Sequence, residues 1–321
     1  MTFHLRSYER HVAHLQEELD HPERQRMHEA WFRQDTADFW RHQRMYRAVD
    51  CLLGLKDATW LTVGDGRFGL DAIRLKKKGF RDVLPSDISD GLLRPARERG
   101  LIQRYAVENA ERLSFGDESF DFVFCKETYH HCPRPMVALY EMLRVARQAV
   151  VLVEPHDWRR SMKDGIHVPP LRRLPRIVAS RCWHLAKGLV GKGGAAGRSP
   201  SARRKSRVFA EYEEVGNYVY ALSSREIIKA ALALNLPAVA FRRFNDFHVK
   251  GCEFEPASWR SPVYRKMRLT ILRRDLLARL AIRQSMHIMA IIFKRPIEAG
   301  ELGVLRKDKW EVLELPRNPH A

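Results

Sequence analysis

Between Thr59 and Val153, short largely apolar runs alternate with amphipathic stretches, and this rhythm organises the chain. The runs at Thr59–Val63, Asp82–Leu84, Arg104–Val107, Phe120–Cys125 and Ala149–Val153 read as strands bounded by Gly, Asp and Asn. Between them Leu70–Lys78, Leu92–Arg99 and Met136–Ala146 carry helical spacing, and Gly79 and Gly100 close the first two. Such alternation predicts a parallel, doubly wound α/β sheet.

Upstream, residues 1–50 contain no Gly and a single Pro, Pro22. Leu15, Leu19, Met27, Trp31, Phe32, Phe39, Trp40, Met45 and Tyr46 are interleaved with charges, as two or three amphipathic helices require. This segment is expected to cap a cleft or to pack on the sheet edge. The sheet core is expected over 51–155. After Glu154-Pro155 the pattern breaks into a basic insertion or lid over 156–221, with a linker-like Gly191–Ser201. Alternation returns over 222–296: a helix start at Ser223–Glu226, a strand at Ala238–Val249, and a basic helical insertion at about 255–284. A last strand follows at His287–Phe293. Residues 297–321 are expected to form a tail.

Charge sharpens this division. The net charge is +18, but 156–210 holds 14 Lys/Arg against 2 Asp/Glu, and 260–283 holds 8 against Asp275 alone. Everything else is close to neutral. The two basic segments are therefore solvated helix faces or attract an anionic partner: a carrier-linked acceptor, a membrane surface or, less in keeping with the motifs, nucleic acid. Leu171–Val190 has Arg on one face and Leu, Ile and Trp183 on the other, the pattern of an interfacial helix. No apolar run reaches the roughly 18 residues a span needs. The start lacks an apolar signal-peptide centre, and the five cysteines are unpatterned, so a cytoplasmic location is expected, with peripheral membrane contact. No metal-ligand spacing is evident.

The first strand runs into Gly64-Asp65-Gly66-Arg67-Phe68-Gly69, and the second ends near Asp87. Glycines let backbone approach a ligand, helix-opening N–H groups favour negative charge, and a strand-end carboxylate can accept ribose hydroxyl protons. The spacing Gly64-x-Gly66-x-x-Gly69 also matches a dinucleotide fingerprint, so glycines alone leave a nicotinamide or flavin ligand open.

The downstream order separates the alternatives. Asn109-Ala110-Glu111-Arg112-Leu113-Ser114-Phe115, followed by Asp117-Glu118-Ser119-Phe120-Asp121, resembles the segment D-A-x-x-L-P-F-x-D-x-S-F-D of class I S-adenosylmethionine-dependent methyltransferases of small molecules. The resemblance covers about 58–155, with weaker support over 222–296. It implies a Rossmann-like sheet with a closing antiparallel strand and S-adenosyl-L-methionine as cofactor. Gly64, Asp65 and Gly66 would then shape the methionine-side loop, and Asp87 would bind the ribose. Ile88 would pack on the adenine, Asn109, Ala110 and Glu111 would lie at its edge, and Lys126 would complete the set. Three positions depart from the family pattern: Thr62 replaces an acidic residue, Phe68 stands at the usual third glycine, and Asn109 replaces Asp.

Methyl transfer to an alcohol needs alignment and a base, and in this fold the acceptor lies beyond the ends of strands four and five. His130 and His131 are the candidate bases, with Glu127 beside them, although loop histidines bonded to backbone are the plainer reading of the pair. Tyr129, Glu154 and His156 are candidate acceptor contacts. The aromatic–acidic stretch that includes Tyr212, Asn217, Tyr218 and Tyr220 is another. The expected activity is O-methylation of a small or carrier-linked acceptor such as a saccharide or lipid-linked glycan. An RNA methyltransferase, an NAD(P)-dependent oxidoreductase and a non-catalytic S-adenosylmethionine-binding scaffold are the rival functions.

Overall fold

The structure is a computed structural model that describes residues 2–20, 22–157 and 219–320, with side chains placed outside 14–25. Strands and helices are numbered over these residues. An eight-stranded sheet is built from β1 (Thr59–Val63), β2 (Asp82–Asp87), β3 (Ala106–Val107), β4 (Phe120–Lys126), β5 (Ala146–Pro155), β6 (Ala238–Phe244), β7 (His287–Phe293) and β8 (Glu311–Glu314). Its order is β3-β2-β1-β4-β5-β7-β6-β8. The first five strands are parallel, and β7 pairs antiparallel with both β5 and β6.

The helices are α1 (Phe3–Asp20), α2 (Pro22–Ala30), α3 (Ala37–Gln43), α4 (Leu70–Lys77), α5 (Leu93–Glu98), α6 (Pro135–Val145), α7 (Ser224–Ala233), α8 (Pro262–Arg279) and α9 (Ala299–Lys307). Their starts are written in the sequence. Ser223 and Glu226 form a reciprocal capping box at α7, and Ser261 accepts from Tyr264 N with Pro262 in the first turn of α8. At α3, Thr36 accepts from Phe39 N.

Both sheet faces are covered, which is why β4 and β5 read as near-continuous apolar runs. One apolar layer holds Leu61, Val123, Leu139, Met142, Leu152, Ile227 and Ile292. On the other face Trp60 lies against Phe80 and Phe122, and Tyr46 stacks on Phe124. A smaller cluster joins α3 to α8 through Ala37, Cys252, Tyr264, Met267 and Ile271.

Three sequence expectations are revised. The strand expected over Ala238–Val249 stops at Phe244, because Asn245 and Asp246 turn inward to bond Asp275 and Arg41. Residues 297–321, expected as a tail, supply α9 and then β8, which pairs antiparallel with β6 and protects that edge. The helical insertion expected at about 255–284 is helical over Pro262–Arg279. The basic insertion expected over 156–221, with its interfacial helix, lies almost wholly outside the described residues. No helix among the described residues is long and apolar enough to cross a membrane.

Candidate active site

The carboxyl ends of β1, β2 and β4 open into a cavity of about 610 Å3, a volume typical of small-molecule sites. Gly64 and Gly69 adopt φ of 75° and 68°, and Phe68 follows them into the left-handed region at 59°. At Gly64 a Cβ would lie 2.1 Å from the Thr128 side chain, so no other residue fits. A Cβ at Gly66 would lie 2.7 Å from Asp87 Oδ2. The loop thus brings bare backbone against the carboxylate at the end of β2, leaving a cradle between them.

Asp87 accepts backbone N–H bonds from Ser89 (3.1 Å), Gly66 and Ile88. Burial nevertheless dominates and raises its carboxyl to about 6. A buried carboxylate this uncompensated fits a ligand that supplies further donors, such as a ribose diol. Ile88, Asn109 and Ala110 line the same cavity, as expected for a face that receives the base.

Asp65 works differently from the expectation. Its carboxylate accepts from Asp71 N and Ala72 N (2.9 Å each) and from Thr62 Oγ1 (2.8 Å). It therefore caps α4 from behind the loop; burial and then the Asp71 charge raise its carboxyl. Thr62, the departure from the family's acidic residue, finds its role here as the donor to Asp65. Glu111 is likewise committed elsewhere: it accepts from Tyr8 Oη (2.6 Å), Arg134 N (2.7 Å) and Arg134 Nε (2.6 Å). Asn109 Oδ1 accepts from Glu111 N at 2.9 Å and closes its own loop. Lys126 lies on the cavity wall with Nζ 3.5 Å from Asp71 and 3.8 Å from Glu127.

The candidate catalytic and acceptor residues separate by environment. His131 lines the cavity. His130 does not: its Nδ1 lies 2.5 Å from Oε2 of the fully buried Glu154. Glu154 also accepts from Thr128 N and Tyr129 N, so this carboxylate shapes the loop after β4 and does not meet an acceptor. Tyr129 is a core residue, 3% exposed, with its hydroxyl against Met136 Sδ. His156 is buried against Ser285 O, away from the cavity lining, and burial lowers it to about 4. Of the expected acceptor contacts and bases, Tyr129, Glu154, His156 and His130 thus lie outside the lining of this cavity. Glu127 lines the cavity at φ 52°. Burial opposes its charge, but the cations Lys126 and Arg41 beside it outweigh burial and hold its carboxyl well below the usual range. It is an anion at neutral pH and a weak base. Tyr220 donates its backbone N–H to His130 O, whereas Tyr212, Asn217 and Tyr218 lie outside the described residues.

The largest contribution missed from the sequence comes from the N-terminal helices. Tyr8, His11 and Trp31 line the cavity, as do Asp38, Arg41 and His42 along one face of α3. Their i, i+3, i+4 spacing after the Thr36 cap was a readable signal for a polar row facing one side. His42 is buried and burial lowers it to about 4; Arg41 Nη2 donates to its Nε2 at 2.8 Å. Asp38 also lies 3.5 Å from that nitrogen, but a guanidinium can only donate, and its contact is the shorter. The proton therefore sits on Nδ1, which is buried without a partner. At the rim, His248, Cys252 and Glu253 bring ligand-type atoms within 4.8 Å, a closeness explained by the 2.8 Å His248–Glu253 hydrogen bond.

Comparison with known proteins identifies the domain. Residues 61–153 match the family described as methyltransferase domain. Over 141 residues the chain is 33% identical to 2-methyl-6-phytyl-1,4-hydroquinone methyltransferase of Synechocystis sp., covering 43% of this chain and 42% of that one. The chain thus spans less than half the length of the curated relative it matches. A SAM-dependent methyltransferase of Methanosarcina mazei (20% identity, 74% and 93% of the two chains, TM-score 0.39) also resembles it. So does the YcgJ protein of Bacillus subtilis (15%, 78% and 99%, TM-score 0.41). With TM-scores below 0.5 these two add no weight to the domain match. Residues 61–153 are thus a methyltransferase domain, with S-adenosyl-L-methionine as its cofactor. That decides between the two meanings of the glycine spacing.

Proposed function

We propose that this protein transfers the methyl group of S-adenosylmethionine to an oxygen of a small or carrier-linked acceptor. The observation that carries the proposal is a single cavity lined both by the Gly66–Asp87 cradle and by His131. The cofactor supplies an electrophilic methyl on a sulfonium. Asp87 in its charged form accepts the ribose hydroxyl protons, and Ile88 packs on the base. His131 takes the acceptor proton as the new bond forms, an in-line displacement that depends on alignment and on excluding water. The N-terminal helices supply that exclusion, with Tyr8, His11 and Trp31 over the cavity. Glu127, an anion beside the cationic Lys126, holds a charged wall near the reacting groups.

A hydroxyl-bearing saccharide or lipid-linked glycan is the acceptor class we favour, from the polar row Asp38–Arg41–His42 and the basic segments of the chain. The name of the Synechocystis relative supports a second reading, a prenylated hydroquinone. Transfer of labelled methyl from S-adenosylmethionine to a lipid-linked glycan and to a prenylated hydroquinone, measured side by side, separates the two. Absence of heat on titrating S-adenosylmethionine and S-adenosylhomocysteine into folded protein would sink the proposal altogether.

A further inference from the structure

A second cavity, of about 560 Å3, lies between α3, β6 and α8. Arg44, Arg47, Arg242, Arg243, Arg268 and Arg279 line it, against the single carboxylate of Asp275. Arg242 and Arg243 are paired with Asp308 and Glu311. Arg47 and Arg279 have no carboxylate partner among the described residues. Arg268 Nε is a buried N–H group without an acceptor, and Arg44 Nη1, likewise without a hydrogen bond, reaches only the Asp246 carboxylate at 3.8 Å. Burial, and then repulsion from Arg268 and Arg47 against the pull of Asp246 and Asp275, leaves the Arg44 guanidinium less basic than usual. A cavity so short of acceptors is matched to an anion with several oxygens.

Beside it α8 carries an unpartnered apolar row. Leu269, Leu272, Leu276 and Leu280 are 47% to 57% exposed, and Ile282 just past the helix is 69% exposed. At 100° per residue the four leucines fall within one narrow arc of the helix. Arg273 flanks that arc, Arg265 continues it one turn towards the start of the helix, and the cavity-lining Arg268 and Arg279 adjoin it. The buried face, Tyr264, Met267 and Ile271, faces the protein instead. Four leucines in water cost solvation free energy that soluble surfaces rarely concentrate on one helix.

We propose that α8 is a docking surface for an anionic phospholipid membrane, with the leucine row in the acyl boundary and a headgroup phosphate in the arginine cavity. Charge complementarity fixes the occupant: apolar side chains between basic ones are the arrangement of an interfacial helix, and each basic residue near such a surface strengthens binding on the order of five-fold. The proposal is independent of the acceptor and of the methyl transfer, and concerns only where the protein sits.

The test is co-sedimentation of the full chain with vesicles of phosphatidylcholine alone and with about one-third phosphatidylglycerol. Binding is expected to the mixed vesicles, with little to phosphatidylcholine. Leu276→Asp/Leu280→Asp and, separately, Arg47→Glu/Arg279→Glu are each expected to weaken it roughly ten-fold or more, at unchanged melting temperature. All four positions are exposed, and none lines the first cavity. Absence of binding to either vesicle, or binding unaffected by the leucine pair, overturns the proposal; the latter places the contact elsewhere in the chain. Competition by millimolar inorganic phosphate that abolishes binding points to a soluble anion and also overturns it. A dimer in solution that Leu276→Asp/Leu280→Asp dissociates assigns the row to a second copy, with the same result.

Discussion

Tyr8 donates its hydroxyl proton to Glu111 at 2.6 Å and thereby ties α1 to the loop that follows β3. Arg134, entering α6, completes the knot from a third element. The cap over the cavity is therefore held by a hydrogen bond to a carboxylate buried at its base. Tyr8→Phe is expected to leave melting within a degree or two, since the pair is partly exposed, and to weaken S-adenosylmethionine binding about three- to ten-fold through faster dissociation. Stopped-flow dissociation kinetics check this; an unchanged off-rate denies the cap a gating role.

Asp87 makes cofactor binding pH-dependent. Its carboxyl titrates at about 6 in the folded apoprotein against 3.8 for the free group, so the folded state holds the extra proton between these values. Stability then falls as pH rises through that window, by about 3 kcal/mol in total, because folding opposes ionisation there. Cofactor affinity runs the opposite way: the charged carboxylate accepts from the ribose, so affinity is full above about 6 and declines below. Asp87→Asn is expected to raise the apoprotein melting temperature at pH 7.5 while weakening the cofactor at least a hundred-fold. Calorimetry across pH 5 to 8, roughly the window of linkage, reads both signs.

Gly66 is predicted to be irreplaceable for a steric reason distinct from strain. Gly66→Ala places a methyl 2.7 Å from Asp87 Oδ2, in the cradle itself. Far-ultraviolet dichroism is expected to stay native while cofactor titration shows no saturable binding. Gly64→Ala, with φ 75° and Thr128 in the way, is expected instead to destabilise by about 1–3 kcal/mol.

The adjacent histidines should give opposite phenotypes. His130→Ala strips a partner from Glu154, which has no solvent exposure, at a cost of about 3 kcal/mol, a fall in melting temperature of roughly 5 °C. His131→Ala is expected to leave melting and cofactor affinity unchanged and to lower turnover at least a hundred-fold. Equal effects of the two changes on stability would contradict this division.

The sheet was legible because its evidence is local. Strand runs, the capping box at Ser223 and the glycine turn are each set by residues close in sequence, and β1, β4 and β7 fall where the apolar pattern puts them. Asp87 was legible for the same reason, as the polar end of an apolar strand. What sequence could not reveal were partnerships across distance. Asp65 and Glu111 line the cavity as the motif suggests, but that Thr62, Tyr8 and Arg134 bond their oxygens could not be read from the motif. His130 and His131 are indistinguishable neighbours until a one-residue difference in direction buries one against Glu154. The polar row of α3 could be read from its spacing, but its place between two cavities could not, because that depends on β6 and α8, far away in the sequence.

That short helix has a consequence for regulation. Asp246 receives Arg41 Nη1 at 2.5 Å from the wall of the first cavity, and Arg44 Nη1 from the second approaches it to 3.8 Å. One buried anion thus answers to two guanidinium groups a single turn apart. The two chambers therefore share one counter-ion, and any effect that occupancy of one has on the other acts in both directions by the same factor.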